Sequence, residues 1–333
     1  KLQYREIGTS GIKASAIAVG AWAMGGWMWG GTNEKESIDA VHAALDRGVD
    51  FIDTAPIYGL GLSEKIVGKA IKGRREDVVI ATKCSMVCRD DDKGEYKFHA
   101  HVQGVDPDGH IPIRIYLGKE SIKREVEESL RRLGTDYLDV YQTHWQDSTT
   151  PISETMEALT ELKDEGKIRA IGVCNAGVDH ISEYLEHGIL DSDQEKYSML
   201  DRDLEKKQAP FCSDHNIAIF AYSPLANGLL TGKMTPDRDF GPGDLRADNP
   251  RFSVENRRRV NEMLGEIEPI AKEHDASIVQ LVTAWTLAQP GITHALCGMR
   301  NAQQAEENAG AGDIELSSDE VDRINSVLAR YSL

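Results

Sequence analysis

The chain has 333 residues, 40% of them apolar, and a formal net charge of −17. This composition suits one or two ordinary globular domains and argues against collagen-like, coiled-coil and disordered classes. The acidic balance argues against nucleic-acid and polybasic membrane partners, both of which need a cationic face.

Nothing approaches the ~20 apolar residues of a bilayer span. Lys1–Glu6 carries no hydrophobic signal core, so cytoplasm is the default compartment. Cys84, Cys88, Cys174, Cys212 and Cys297 are odd in number and irregular in spacing, and read as reduced core thiols. Neither Cys84-x3-Cys88 nor His99-x-His101 has a further ligand at metal-site spacing, so no metal site is expected.

In chain order, candidate strands are Ala16–Trp22, Asp50–Ala55, Val78–Lys83, Tyr137–Trp145, Arg169–Val173, Ala218–Ser223 and Ala295–Gly298. Several are continuous Val/Ile/Ala runs, as parallel strands buried on both faces require. Amphipathic stretches alternate with them: Lys35–Arg47, Glu64–Ile71, Lys119–Arg132, Ser153–Glu165, Val178–Glu186, Asp203–His215, Ile278–Leu287 and Ala302–Asn308. Gly48, Gly134 and Gly166 suit helix C-terminal caps, while Ser63 and Ser153 suit helix starts. The polar segment Asp191–Ser198 must supply one more strand to complete eight βα units, the count of a (β/α)8 barrel. A doubly wound open sheet is the main alternative. No Pro/Gly/Ser-rich linker divides residues 1–333, which read as a single barrel domain. Two long loops, Cys84–Gly118 and Leu225–Asn256, follow strand C-termini, the side where barrel active sites form.

Three strand ends carry chemistry. Asp53 ends the second strand and Tyr58 follows five residues on; Lys83 ends the third; His144 ends the fourth. Adjacent barrel strands set these ends side by side. A lysine cation beside the phenol is expected to lower its pKa by about 1–3 units from ~10, which makes Tyr58 a usable general acid. Asp53 would hold Lys83 charged, and a neutral His144 would position a carbonyl oxygen.

The ordered set Asp53, Tyr58, Lys83 and His144 resembles the catalytic tetrad of the aldo-keto reductases, and the resemblance extends over nearly the whole chain. The chain resembles the bacterial branch that also includes inositol- and sugar-pathway enzymes and general-stress reductases. The resemblance implies a (β/α)8 barrel with NADPH across its C-terminal mouth, hydride transfer to an aldehyde or ketone, and a proton from the tyrosine. It implies that Asn175 and Gln194 grip the carboxamide and that Tyr222 stacks on the nicotinamide, in a segment with Ser223 and Leu225. Gly172-Val173-Cys174-Asn175-Ala176 departs from the family's Gly-Val-Ser-Asn-Phe at Cys174 and Ala176. Gly228 and Lys233 would lie near the phosphates. Gly298, Arg300, Gln304, Glu307 and Asn308 would take the adenosine end, Arg300 pairing the 2′-phosphate. The family's usual proline before that glycine is Cys297 here. No Gly-x-Gly-x-x-Gly turn occurs; Gly59-Leu60-Gly61-Leu62-Ser63-Glu64 fails at the sixth position.

Trp22, Trp27, Trp29 and Trp145 are expected to line the substrate mouth with Tyr58. Aromatic faces and a polar Cys84–Gly118 loop point to a small carbonyl substrate such as a sugar aldehyde or keto-sugar. The alternative function is an NADPH-binding redox-sensing subunit with slow turnover.

Overall fold

A computed structural model of the chain describes residues 1–89, 92–102 and 106–331, with backbone alone over 101–110. Eight parallel strands close into a barrel. They are β1 (Ile17–Gly20), β2 (Phe51–Asp53), β3 (Val79–Cys84), β4 (Leu138–Thr143), β5 (Ile168–Cys174), β6 (Ser192–Lys196), β7 (Ala218–Tyr222) and β8 (Ile292–Gly298). Neighbours in the chain are neighbours in the barrel, and β8 pairs with β1 through Gly298↔Gly20. This is the (β/α)8 architecture, in which helices cover the outer face of every strand.

The strand period of two decides what fills the centre. Phe51, Val79, Ala81, Val140, Ala170, Ala218, Phe220 and Leu296 form the inner core, with Ile7 and Ile12 among them. Those last two come from an antiparallel hairpin, Tyr4–Glu6 with Lys13–Ser15, whose apolar turn residues join the barrel interior. The outer strand faces and the helices form a second, larger core around the barrel.

The polar Asp191–Ser198 segment does supply β6, in register with β7 through Gln194↔Phe220. Gly134 has φ 67° and its N–H reaches Leu130 O, the expected left-handed cap. Neither serine caps its helix. Helix Leu62–Ala70 follows Gly61, and Ser63 Oγ instead donates to Ala21 O at 2.8 Å. Helix Ile152–Asp164 follows Pro151 without a side-chain cap. The stretch Asp203–His215 divides into a 3-10 turn, Asp203–Lys206, and a helix, Gln208–Asp214.

The two long loops carry structure. Within Cys84–Gly118, Met86–Val87, Glu95–Val102 and Asp106–Ile115 make a three-stranded antiparallel sheet. The end of Leu225–Asn256 enters a helix, Val254–Glu273, which leads to the barrel helix Ile278–Ala288. A last helix, Ser318–Tyr331, packs against Val254–Glu273.

Candidate active site

Strand register places the ends of β2 to β4 and β6 in one layer above the inner core. Asp53, Lys83 and Gln142 stand there two residues above Phe51, Ala81 and Val140 of the inner core, and Gln194 joins them two residues above the polar Ser192. Lys83 Nζ lies 2.7 Å from Asp53 Oδ2, donates to Thr54 O at 2.8 Å, and is 3.3 Å from Tyr58 Oη. The other Asp53 oxygen accepts from Gln194 Nε2 at 2.8 Å and Gln142 Nε2 at 3.2 Å. A buried ammonium is costly alone. Here its three contacts, the Asp53 carboxylate among them, offset burial, and Asp53 and Tyr58 raise the lysine pKa above its ordinary value although burial opposes them.

Tyr58 reaches this layer from the turn after β2. The turn is fixed by backbone packing: a Cβ on Gly59 (φ +66°) would meet Gly25 O at 2.2 Å, and one on Gly25 would meet the Tyr58 carbonyl carbon at 2.5 Å. No side chain fits between these two backbones. His144 follows β4, its N–H bonded to Cys84 O at 2.9 Å. Its ring stands edge-on to Tyr58, centroids 5.9 Å apart. Burial and the Lys83 charge push the His144 pKa well below the ordinary imidazole range, so the ring is neutral.

One expectation is reversed. Tyr58 is not acidified: burial pushes its pKa up to about 12, against the smaller lowering effect of Lys83. The lysine charge is already committed to Asp53, and desolvating the phenolate outweighs what remains of its attraction.

Tyr58 and His144 face one end of a cavity of about 520 Å³. Trp22, Trp27, Trp29 and Trp145 line it as well. From there it runs along Asn175, Gln194, Tyr222, Ser223, Leu225, Gly228 and Lys233 to Gly298, Arg300, Gln304, Glu307 and Asn308. All the residues expected to hold a cofactor therefore border one continuous cleft.

Their partners are informative. Asn175 donates to His144 O at 3.0 Å and accepts from Tyr222 Oη at 2.8 Å, locking the strand ends together. Gln194 spends its amide N–H groups on Asp53 and Gln142, which leaves its Oε1 as an acceptor for an amide donor in the cleft. Lys233 pairs with Glu307 at 2.8 Å. Arg300 Nη2 donates to Gly31 O at 2.7 Å and Nη1 to Trp29 O at 3.4 Å. The Trp27–Gly31 turn is held from the other side too, where Leu245 N donates to Met28 O at 3.0 Å. An extended dinucleotide fits this cleft: an amide-accepting end beside Tyr58, a glycine at position 298 with nothing within 4 Å of a notional Cβ, and a guanidinium at the far end.

Several lining residues were not singled out from the sequence. Lys97 and Phe98 come from the antiparallel sheet, Arg238 and Arg246 from the loop after β7. Arg246 pairs with Asp244 at 2.7 Å and stacks 5.3 Å from the Trp29 ring. The Pro/Gly-rich composition of that loop was the available signal. Of the cysteines, four are buried, Cys88 is exposed, and none is in a disulfide. Among the described residues no group of three His, Cys, Asp or Glu is placed to hold a metal, and no helix is long and apolar enough to cross a membrane. The side chains of His101 and His110 lie outside the described residues.

Comparison with known proteins agrees with this geometry. The family model described as "Aldo/keto reductase family" matches residues 16–329. The chain is 39% identical over 330 residues to aldo-keto reductase YhdN of Bacillus subtilis, covering 98% of this chain and 94% of that one. It is 44% identical over 284 residues to the NADH-specific methylglyoxal reductase of Escherichia coli, covering 84% and 83%. Among solved structures, the glycerol dehydrogenase AKR11B4 from Gluconobacter oxydans superposes with a TM-score of 0.86 at 34% identity, covering 98% of this chain and 95% of that one. An aldo/keto reductase from Klebsiella pneumoniae, solved with NADP and acetate, superposes with a TM-score of 0.72 at 27% identity, covering 98% and 94%. The chain belongs to the aldo/keto reductase family, oxidoreductases acting on carbonyl and alcohol groups.

Proposed function

We propose that the chain, acting as one barrel domain, reduces a small aldehyde or ketone with NADPH, Tyr58 donating the proton. The observation that carries this reading is the Asp53–Lys83–Tyr58 chain, with spacings of 2.7 and 3.3 Å, opening on the cleft beside a neutral His144.

When bound, the nicotinamide supplies a hydride to the carbonyl carbon. The protein's own work is on the oxygen. His144, neutral and with its ring at the cleft wall, donates a hydrogen bond that orients the carbonyl. Electron density then moves onto that oxygen, which takes the Tyr58 proton. Lys83 stabilises the phenolate left behind, and Asp53 keeps Lys83 charged and in place. Solvent afterwards reprotonates Tyr58. A phenol held protonated up to about pH 12 is a ready proton reservoir at neutral pH. It needs the negative charge developing on the substrate oxygen to draw the proton off.

Asn175 and Gln194 would hold the carboxamide, and Tyr222 the nicotinamide face. Arg300 favours NADPH over NADH: its guanidinium borders the far end of the cleft and, among the described residues, contacts backbone carbonyls and no carboxylate. A phosphate there would gain a charge-assisted pair. The Trp-rich end suits sugar aldehydes, keto-sugars or aryl aldehydes. A tryptophan-fluorescence titration tests the cofactor assignment. Tight quenching by NADPH and much weaker quenching by NADH supports it; preference for NADH overturns the Arg300 role.

A further inference from the structure

We propose that Lys97 makes this enzyme selective for carbonyl substrates that carry an anionic group, a carboxylate or a phosphate, away from the reacting carbonyl. The inference rests on the reductase reading above and names the substrate class for that same site.

Lys97 stands on the strand Glu95–Val102 of the sheet inserted after β3. In the pairing of that strand, Tyr96 faces Arg114 and Phe98 faces Ile113, so Lys97 is the extra, unpaired residue of a β-bulge. An extra residue breaks strict alternation and re-aims a side chain. Consecutive residues Lys97 and Phe98 accordingly both border the cavity, where simple alternation would send one of them away. Phe98 packs on Trp27, ring centroids 6.1 Å apart, and Lys97 Nζ sits 4.3 Å from the centre of the Trp145 ring. Trp145 directly follows His144. The bulge thus delivers an ammonium to the wall next to the proposed carbonyl-orienting residue.

The acids that line the cavity are each paired with a lysine. Asp53 is the acid that borders the substrate end, and Lys83 neutralises it. The other acid on the cleft, Glu307, is at the far end and paired with Lys233. Among the described residues Lys97 pairs with no carboxylate. Its one recorded partner is the Trp145 face, and cation–π contact leaves most of the ammonium's hydrogen-bonding capacity open. On a chain of net charge −17, long-range forces repel anions. An ammonium held on the Trp145 face, beside His144, therefore discriminates between anionic and neutral substrates.

The test uses matched pairs: 4-formylbenzoate against its methyl ester, and glyceraldehyde 3-phosphate against glyceraldehyde. For the wild type, kcat/KM should favour the anionic member by roughly threefold to tenfold at low salt, shrinking as salt rises, because Lys97 is exposed and screened. Lys97→Met should erase that preference through KM. Lys97→Glu should reverse it, Lys97→Arg should keep it, and all three should leave the neutral members within about twofold. A preference confined to one pair identifies carboxylate or phosphate as the group recognised. Equal effects of Lys97→Met on anionic and neutral substrates, or no anionic preference in the wild type, overturn the proposal while the reductase reading stands. Absence of turnover with all four and either nucleotide overturns both.

Discussion

Replacing Lys83 by Met removes one charge from the deepest part of the site at nearly constant side-chain length. Two effects follow, and they separate. The first is on stability. Asp53 is 3% exposed and would be left with only Gln142 and Gln194 as donors. Breaking one half of such a buried pair costs about 3–5 kcal/mol, whereas removing both charges is close to neutral. The second is on chemistry. At an effective dielectric of about 20, a unit charge 3.3 Å from the Tyr58 oxygen stabilises a full phenolate by about 5 kcal/mol. At ~1.36 kcal/mol per tenfold, that is a ceiling between 10³ and 10⁴ in rate, reached only if the phenolate is fully formed; a loss of at least about a hundredfold is expected. The assay pairs thermal melting with single-turnover reduction of an aldehyde, followed by nucleotide absorbance. Lys83→Met should melt early and reduce slowly. Asp53→Asn/Lys83→Met should regain most of the stability and none of the rate. Turnover within tenfold of wild type in the double variant would refute the role given to the lysine charge.

Other expectations follow from the same geometry. Gly59→Ala forces a Cβ into Gly25 O, so it should cost activity by moving Tyr58 while far-end nucleotide contacts persist, seen as a fall in kcat with a small change in nucleotide affinity. Arg300→Ala should weaken NADPH by about tenfold or more and NADH only slightly, by calorimetry; equal weakening would confine Arg300 to holding the Trp27–Gly31 turn. Because Tyr58 stays protonated to about pH 12 and His144 neutral well below its usual range, kcat/KM for reduction should be level between about pH 6 and pH 9; a steep limb inside that window contradicts both assignments. Glu125 is buried under the β3 end, which raises its pKa to about 7 despite Arg89 nearby. The unfolded chain loses that proton at lower pH than the folded one. The group's stabilising contribution is therefore complete below about pH 4.5 and is lost as pH rises through about 7. Glu125→Gln should flatten the decline in melting temperature between about pH 5 and pH 8.

The barrel was legible where strands are buried on both faces, because Val78–Lys83 or Ala218–Ser223 have no solvent side to encode. β6 was legible only by counting. Its polarity has a physical cause: Gln194 belongs to the site layer, and Asp193 accepts from Gln208 on the next helix at 2.7 Å. The tetrad positions were readable because each ends a strand or follows one closely. Their electrostatics were not, since the phenol's pKa depends on how much water is removed and how far Asp53 has already spent the lysine charge. The antiparallel sheet within 84–118 was hidden by its Gly, Pro and His content and by the bulge at Lys97, which breaks the two-residue period. Helix Val254–Glu273 was obscured by Arg257-Arg258-Arg259 and by Pro269. Arg257 in fact lies buried, donating to Thr235 O and Arg238 O at 2.7 and 2.9 Å, so its charge marks a loop anchor rather than a solvent face.

The most direct measurement compares the purified chain with Tyr58→Phe, each mixed with NADPH and a small aldehyde, reading nucleotide affinity and alcohol formation in parallel. The substitution removes one oxygen, 3.3 Å from Lys83 Nζ, and nothing that lines the far half of the cleft. Nucleotide affinity within about threefold of wild type, with alcohol formation reduced by a hundredfold or more, is the predicted result. Alcohol formation at the wild-type rate would contradict the assignment of the proton to Tyr58.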